Sequence, residues 1–180
     1  MRIITGSARG TNLLTPEGLD TRPTPSKVKE ALFSSIQFDI EGRSVLDLFA
    51  GSGGLGLEAL SRGAVRATFV DSSQEAISVI TKNAQKTHLY EKSNIIRSDF
   101  KSYLNSSTGG FGLIFLDPPY ASGFLPDALR LIADRKLAVV NSITVCETEK
   151  DIEAPPDYFT VIKKLSYGRI KITLLTHTED

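Results

Sequence analysis

The chain carries almost nothing with which to cross-link itself or hold a metal. Its 180 residues include one cysteine, Cys146, and two histidines, His88 and His177. A single thiol excludes an intramolecular disulfide and fits a reducing compartment, so a cytoplasmic location is expected. Cys146 suits a small buried apolar position better than a catalytic one. Two imidazoles give a zinc site little to work with, and no metal is expected. No apolar run approaches the length of a bilayer span, so no membrane partner is expected. The start Arg2-Ile-Ile reads as strand, so no secretory signal is expected. Net charge is also missing: 21 basic side chains balance 21 acidic ones. A protein that grips bare nucleic acid through many phosphates is ordinarily basic. The balance is uneven, however. Residues 1–29 hold five basic against two acidic side chains, a net +3, which leaves −3 for the remainder. Arg2, Arg9 and Lys27 in this stretch are candidate phosphate contacts, against the plainer reading of a solvated face.

What is present fits one domain over residues 1–180, with an apolar fraction of 41% and enough length for a core. Residues 1–24 form an expected hairpin and connector, and residues 25–180 the core. Arg2-Ile-Ile-Thr5 and Thr11-Asn-Leu-Leu14 suggest two short strands around Gly6 and Gly10. Pro25 opens a helix over 25–37. Strands are expected at 44–49, 67–70, 94–97 and 111–116. They alternate with helices at 55–60, 74–86, 100–105 and 125–133. Residues 137–140 and 143–146 suggest one strand with an irregularity near Asn141, and residues 158–176 a terminal antiparallel hairpin. This alternation predicts an α/β protein with a mostly parallel sheet covered by helices on both faces. Ligands of such sheets bind beyond the carboxyl ends of the strands.

Two motifs carry chemistry. Asp117-Pro118-Pro119-Tyr120 follows the apolar run Phe111–Leu116. A carboxylate and a proline carbonyl can accept the two hydrogens of an amino group on a planar base, while the aromatic ring stacks on it. The alternative is an ordinary strand-to-loop turn. The second motif, Gly51-Ser52-Gly53-Gly54-Leu55-Gly56, satisfies the dinucleotide fingerprint, with Asp71 twenty residues beyond Gly51. Asp47, four residues before Gly51, argues against a pyrophosphate, which it would repel. S-adenosyl-L-methionine fits better. Its ammonium wants an acceptor such as Asp47, its carboxylate wants the N–H groups of Gly51, Ser52 and Gly53, and its ribose diol wants Asp71 beside Ser72. Asp99 and Phe100 suit the adenine amino group and ring; the alternative for Asp99 is a helix cap. Phe49 reads as core.

The order Asp47, Gly51-x-Gly53, Asp71, Asp99, Asp117-Pro-Pro-Tyr120 resembles the Rossmann-like methyltransferases that act on amino nitrogens. Further segments are Arg2-Ile-Ile-Thr-Gly6, Arg22-Pro23-Thr24, Glu30-Ala-Leu-Phe33, Leu55-Gly-Leu-Glu-Ala59, Ser61-Arg-Gly-Ala64 and Tyr167-Gly168. With them nearly the whole chain resembles the bacterial 16S rRNA (guanine-N2) methyltransferases of the RsmD type. The resemblance implies a Rossmann-like class I fold with a seven-stranded sheet and a small N-terminal hairpin. It also implies S-adenosyl-L-methionine as cofactor and ribosomal RNA, in the small subunit or its precursor, as partner. No obligate protein partner is expected. Catalysis then falls to Asp117, Pro118 and Tyr120, with Asp117 also facing the cofactor. Arg22 and Thr24 approach cofactor and base, unless Thr24 merely caps the helix. The family usually places a basic residue after the hairpin glycine, where this chain has Thr11-Asn12. Alternatives are methylation of adenine N6 in DNA or another RNA, of a glutamine side chain, and a catalytically silent RNA-binding module.

Overall fold

In a computed structural model, which describes residues 1–16, 25–119, 122–152 and 154–178, the chain forms a seven-stranded sheet between two helical layers. In chain order the elements are α1 (Ser26–Ser35), β1 (Ser44–Leu48), α2 (Gly54–Ser61), β2 (Arg66–Asp71) and α3 (Gln74–Lys86). β3 (Ser93–Arg97), α4 (Phe100–Ser106), β4 (Phe111–Leu116), α5 (Phe124–Asp134), β5 (Ala138–Thr148), β6 (Thr160–Tyr167) and β7 (Ile170–His177) follow. The strand order is β3-β2-β1-β4-β5-β7-β6, parallel from β3 through β5, with β7 antiparallel to both neighbours. The chain reverses direction across the sheet between β1 and β4, so the carboxyl ends of these two central strands open a crevice.

Strands buried on both faces read as unbroken apolar runs, and β4 is buried at every position. One face of the sheet carries Val45, Phe115, Val145 and Ile172 against α1, α2 and α3, with Phe33, Leu57 and Ile80 from the helices. The other face carries Leu46, Leu48, Ile114 and Leu116 against Leu104 of α4 and Leu129 and Ile132 of α5. The irregularity expected near Asn141 is present. The β4–β5 register slips between Phe111 and Leu113, and Asn141 takes a left-handed φ of 59°. A short 3-10 turn at Tyr90–Lys92, absent from the sequence reading, precedes β3.

The N-terminal hairpin is slighter than its apolar pattern suggests. It closes through one antiparallel bridge, Arg2 to Asn12, with Ile3 donating to the Thr11 carbonyl at 3.0 Å and Gly10 to the Ile3 carbonyl at 2.8 Å. Leu13 also donates to the Met1 carbonyl at 2.9 Å, and several other backbone groups of the segment bond to α2. Glu58, fully buried, accepts from the amides of Ile4 and Thr5 at 2.8 and 3.1 Å, and Ser61 Oγ accepts from Ala8 at 3.0 Å. Gly6 lies so close that an added Cβ would sit 1.8 Å from the Ser61 carbonyl oxygen. Glu58 also meets buried Lys29 of α1 at 3.0 Å and Arg62 at 2.8 Å. Burial alone would push the Glu58 carboxyl up; Lys29, the Ile4 amide and Arg62 outweigh it and hold it below its usual range. Burial pulls the Lys29 ammonium down despite Glu58. Desolvation of Lys29 thus exceeds what its partner returns, and the pair acts chiefly to fix geometry.

The turn from β1 to α2 is pinned from below. Asp47, 2% exposed in β1, accepts the Gly56 amide at 2.8 Å. Gly56 must be glycine, since a Cβ would fall 2.4 Å from the Phe69 ring. Asn83 of α3 donates to the carbonyls of Ser52 at 2.9 Å and Leu14 at 3.0 Å, which ties the same turn to the N-terminal segment.

Replacing Glu58 by Ala leaves Lys29 charged in the core and four donors without their acceptor. The expected loss is about 3–5 kcal/mol in urea unfolding. Asp47 yields a pH signature. Burial raises its carboxyl from 3.8 to about 7, against the opposing Gly56 hydrogen bond. A folded-state value above the unfolded one means the native state binds the proton more tightly. That contribution is full below about pH 4 and is lost as pH rises toward 7. Asp47→Asn, which keeps an acceptor for Gly56, should flatten the fall in unfolding free energy over this window.

Candidate active site

The loop leaving β1 bends through three left-handed residues, Phe49 at φ 67°, Gly51 at 55° and Gly53 at 75°. This zigzag turns the chain back over the strand end and starts α2 at Gly54. Asp71, at the end of β2, holds the loop: its Oδ2 accepts the Gly51 amide at 2.9 Å and its Oδ1 the Ser73 amide at 2.9 Å. Neighbouring Ser72 is exposed, Ser52 is 9% exposed, and a Cβ on Gly51 would meet nothing within 4 Å. The outer side of the turn is therefore open space, bounded by backbone. A bulky ligand can approach the main chain there.

Asp99 follows β3 and caps α4, its Oδ1 accepting the Ser102 amide at 3.0 Å. Hydrogen bonding from Ser102 holds its carboxyl below the usual range. Asp99 stays exposed, so the cap coexists with a free edge toward solvent. Phe100, 8% exposed, packs with Phe49 at 5.2 Å and Phe124 at 5.0 Å between ring centroids. Phe49 and Phe124 stack at 6.2 Å with an interplanar angle of 15°. Phe49 is thus one leaf of a half-buried aromatic wall, where the sequence suggested core. Its left-handed backbone turns the ring toward the strand ends, and residue type carries no sign of that. Phe124 escaped the sequence reading because it lies 24 positions from Phe100 and 75 from Phe49, in a different element.

Asp117 and Pro118 follow β4, with Pro118 buried. The Asp117 carboxyl is pushed up by burial, then by the charges of Glu147 and Asp47. Glu147, 3% exposed near the end of β5, was not singled out from sequence; the only signal was a carboxylate closing an apolar run. Pro118, Pro119, Phe124, Arg130, Glu147 and Ile152 are among the residues that line a groove of about 1060 Å³. Arg2 and Arg9 are exposed and line a separate pocket of about 250 Å³ on the hairpin. Lys27 is exposed on the first turn of α1 and is not part of that pocket. Arg22, Thr24 and Tyr120 lie outside the described residues. Cys146 is buried in the core and its thiol is raised by burial alone, which removes it from the chemistry.

The donor set suits S-adenosyl-L-methionine. Acceptors stand at the ends of β1, β2 and β3, an aromatic wall adjoins the third, and the glycine turn leaves room above its backbone. A pyrophosphate would meet Asp47 and Asp71 at the same turn. Among the described residues no cluster of histidine, cysteine and acidic side chains has the arrangement of a metal site. No helix among them is long and apolar enough to cross a membrane.

The model of the family described as conserved hypothetical protein 95 matches residues 1–176. Ribosomal RNA small subunit methyltransferase D of Haemophilus influenzae is 34% identical over 180 residues, spanning 97% of this chain and 92% of its own length. YlbH of Bacillus subtilis is 38% identical over 173 residues, spanning 93% of this chain and 94% of its own. The solved structure of yhhF from Escherichia coli superposes with a TM-score of 0.89 at 31% identity, covering 100% of this chain and 99% of that one. With the Asp117-Pro-Pro motif beside a glycine turn on a methyltransferase sheet, the chain belongs to the conserved hypothetical protein 95 family, that of the RsmD-type methyltransferases.

Proposed function

We propose that this chain methylates the exocyclic N2 amino group of a guanine in small-subunit ribosomal RNA, with S-adenosyl-L-methionine as donor. The observation that carries the reading is the placement of Asp117 and Pro118 at the carboxyl end of β4, next to β1 and its open glycine turn. The substrate class comes from the relatives, which are named as ribosomal RNA small subunit methyltransferases.

Gly51, Ser52 and Gly53 present backbone to the donor's amino-acid portion, and Asp47 supplies negative charge beneath it. Asp71 faces the ribose diol with Ser72 alongside, while Asp99 and the Phe49–Phe100 wall accommodate adenine. Bound there, the donor supplies an electrophilic methyl carbon on a sulfonium. An aromatic amino group is a poor nucleophile because its lone pair is delocalised into the ring. Asp117 accepts one N2 hydrogen and the Pro118 carbonyl the other, which turns the nitrogen toward pyramidal geometry and exposes its lone pair. Positioning of this kind supplies roughly 7–11 kcal/mol of barrier lowering in favourable cases. Asp117 also stabilises the positive charge that grows on nitrogen. The surplus proton then passes to Asp117 or to water; a carboxyl with a raised proton affinity is suited to take it. Tyr120 stacks on the base, a contact worth on the order of 1–3 kcal/mol. Arg22 and Thr24 flank the cofactor and base ahead of α1, and Arg2, Arg9 and Lys27 contact RNA phosphates. A reducing cytoplasm, where ribosomal subunits assemble, suits both substrate and free thiol.

Incubation with labelled donor and small subunits lacking the modification should place label in RNA, and nucleoside digestion should yield N2-methylguanosine. Recovery of N6-methyladenosine instead would replace the guanine reading, and absence of transfer despite cofactor binding would leave a silent module. Asp117→Asn should retain cofactor affinity by calorimetry and lose about tenfold or more in rate. In the unmodified enzyme the rate should fall as pH drops through the raised Asp117 value, at higher pH than an ordinary aspartate dictates. Asp71→Ala should weaken cofactor binding first, since it removes the acceptor that holds Gly51; full affinity in that variant would contradict the assignment.

A further inference from the structure

Glu147 has no part in the chemistry so far, and its position calls for one. It is the penultimate residue of β5, and only 3% of it is exposed. The parallel register pairs Leu116 with Cys146, so the next residue on each strand is Asp117 and Glu147. Side chains alternate along β5, which puts Glu147 on the face that carries Val145, while Asp117 is the first residue beyond β4. Their proximity is felt electrostatically: after burial, the charge of Glu147 does most to raise the Asp117 carboxyl, ahead of Asp47. Pro118, the neighbour of Asp117, lines the same groove as Glu147, so Glu147 borders a space that a planar base can enter.

Two carboxylates side by side in a poorly solvated corner repel each other. Ionised carboxylates only accept hydrogen bonds, so a ligand edge carrying several adjacent N–H groups relieves that repulsion. Guanine has such an edge, with N1–H beside the two N2 hydrogens. Adenine does not: its amino group adjoins N1, a lone pair. If Asp117 and the Pro118 carbonyl take the N2 hydrogens, the neighbouring donor falls to the neighbouring acid.

We propose that Glu147 is the specificity-determining residue for the base, accepting N1–H of the target guanine and rejecting purines whose N1 is an acceptor. This assignment rests on the methyl transfer to guanine N2 proposed above. Rejection arises because a wrong purine sets a carboxylate against a lone pair and loses a hydrogen bond that guanine makes.

2-Aminopurine removes the N1 hydrogen together with O6, and the Glu147 variants below separate the two changes. It keeps the exocyclic amino group that is methylated and has a lone pair at N1. Once the target of the unaltered enzyme is mapped, small subunits are reconstituted with guanine or 2-aminopurine at that position, and kcat/KM is measured on each. The unaltered enzyme should prefer guanine by about tenfold or more. Glu147→Gln presents an amide that can donate to N1, and should lower kcat/KM on guanine while bringing the preference close to unity. Glu147→Asp, which keeps the charge, should retain a preference for guanine. Cofactor affinity by calorimetry reports whether each variant is folded. An unaltered enzyme that methylates both purines equally would overturn the inference, with no variant needed. So would a Gln variant that binds cofactor, works more slowly and discriminates as before, since a merely structural glutamate would give that result. Failure of the unaltered enzyme to methylate guanine at all would instead remove the underlying reaction, a separate outcome.

Discussion

Two backbone hydrogen bonds set the geometry on which everything else at the crevice depends. Gly51 donates to Asp71 and Gly56 donates to Asp47, each acid coming from a different central strand. The turn between β1 and α2 is thereby held at both ends while its middle stays open. Glycine is needed for opposite reasons at those ends. At Gly51 the backbone is left-handed and the space beyond is clear; at Gly56 the Phe69 ring leaves no room for a Cβ. A cofactor seated there meets main chain already fixed by the sheet, so little ordering remains to be done on binding.

The carboxyl edge of the sheet concentrates negative charge. Asp47, Asp71, Asp117 and Glu147 sit at or beside the ends of four strands; beyond burial, Asp71 raises the proton affinity of Asp47, and Glu147 and Asp47 raise that of Asp117. Such crowding is unfavourable in isolation and becomes favourable toward cations and N–H donors. A sulfonium-bearing cofactor and the donor edge of guanine both answer that description. The neutral overall charge of the chain is thus a poor guide to its partners, because charge sign is sorted by location: acids at the strand ends, and Arg2, Arg9 and Lys27 exposed on the N-terminal hairpin and α1.

Glu58 joins this centre to the N-terminal segment. It gathers the Ile4 and Thr5 amides, Lys29 and Arg62 onto α2, the helix that the glycine turn begins. Asn83 makes a second tie between Leu14 and Ser52. The hairpin that bears Arg2 and Arg9 is therefore fastened to the glycine turn by polar contacts. The amides of Ile4, Thr5, Ser7 and Ala8 find their acceptors on α2, so that stretch is held to the helix and not to a partner strand.

Sequence alone determined the sheet and helix order, because each element buries a face whose periodicity shows in its own residues. α3 and β4 fall where their patterns place them, and the slip at Asn141 was visible as a polar break in an apolar strand. Motif spacing also located Asp47, Asp71, Asp99 and Asp117 at strand ends, since local turn chemistry and strand length act within a few residues. Tertiary structure alone decided which of these acids brace backbone. Asp47 lies under the turn, Asp71 clasps Gly51 and Asp99 caps α4, all through partners chosen by folding. It alone set Phe49 against Phe124, and Glu147 beside Asp117, thirty residues away along the chain. Those juxtapositions depend on strand register and crossover geometry, which are cooperative properties of the whole sheet and leave no mark on any short stretch of sequence.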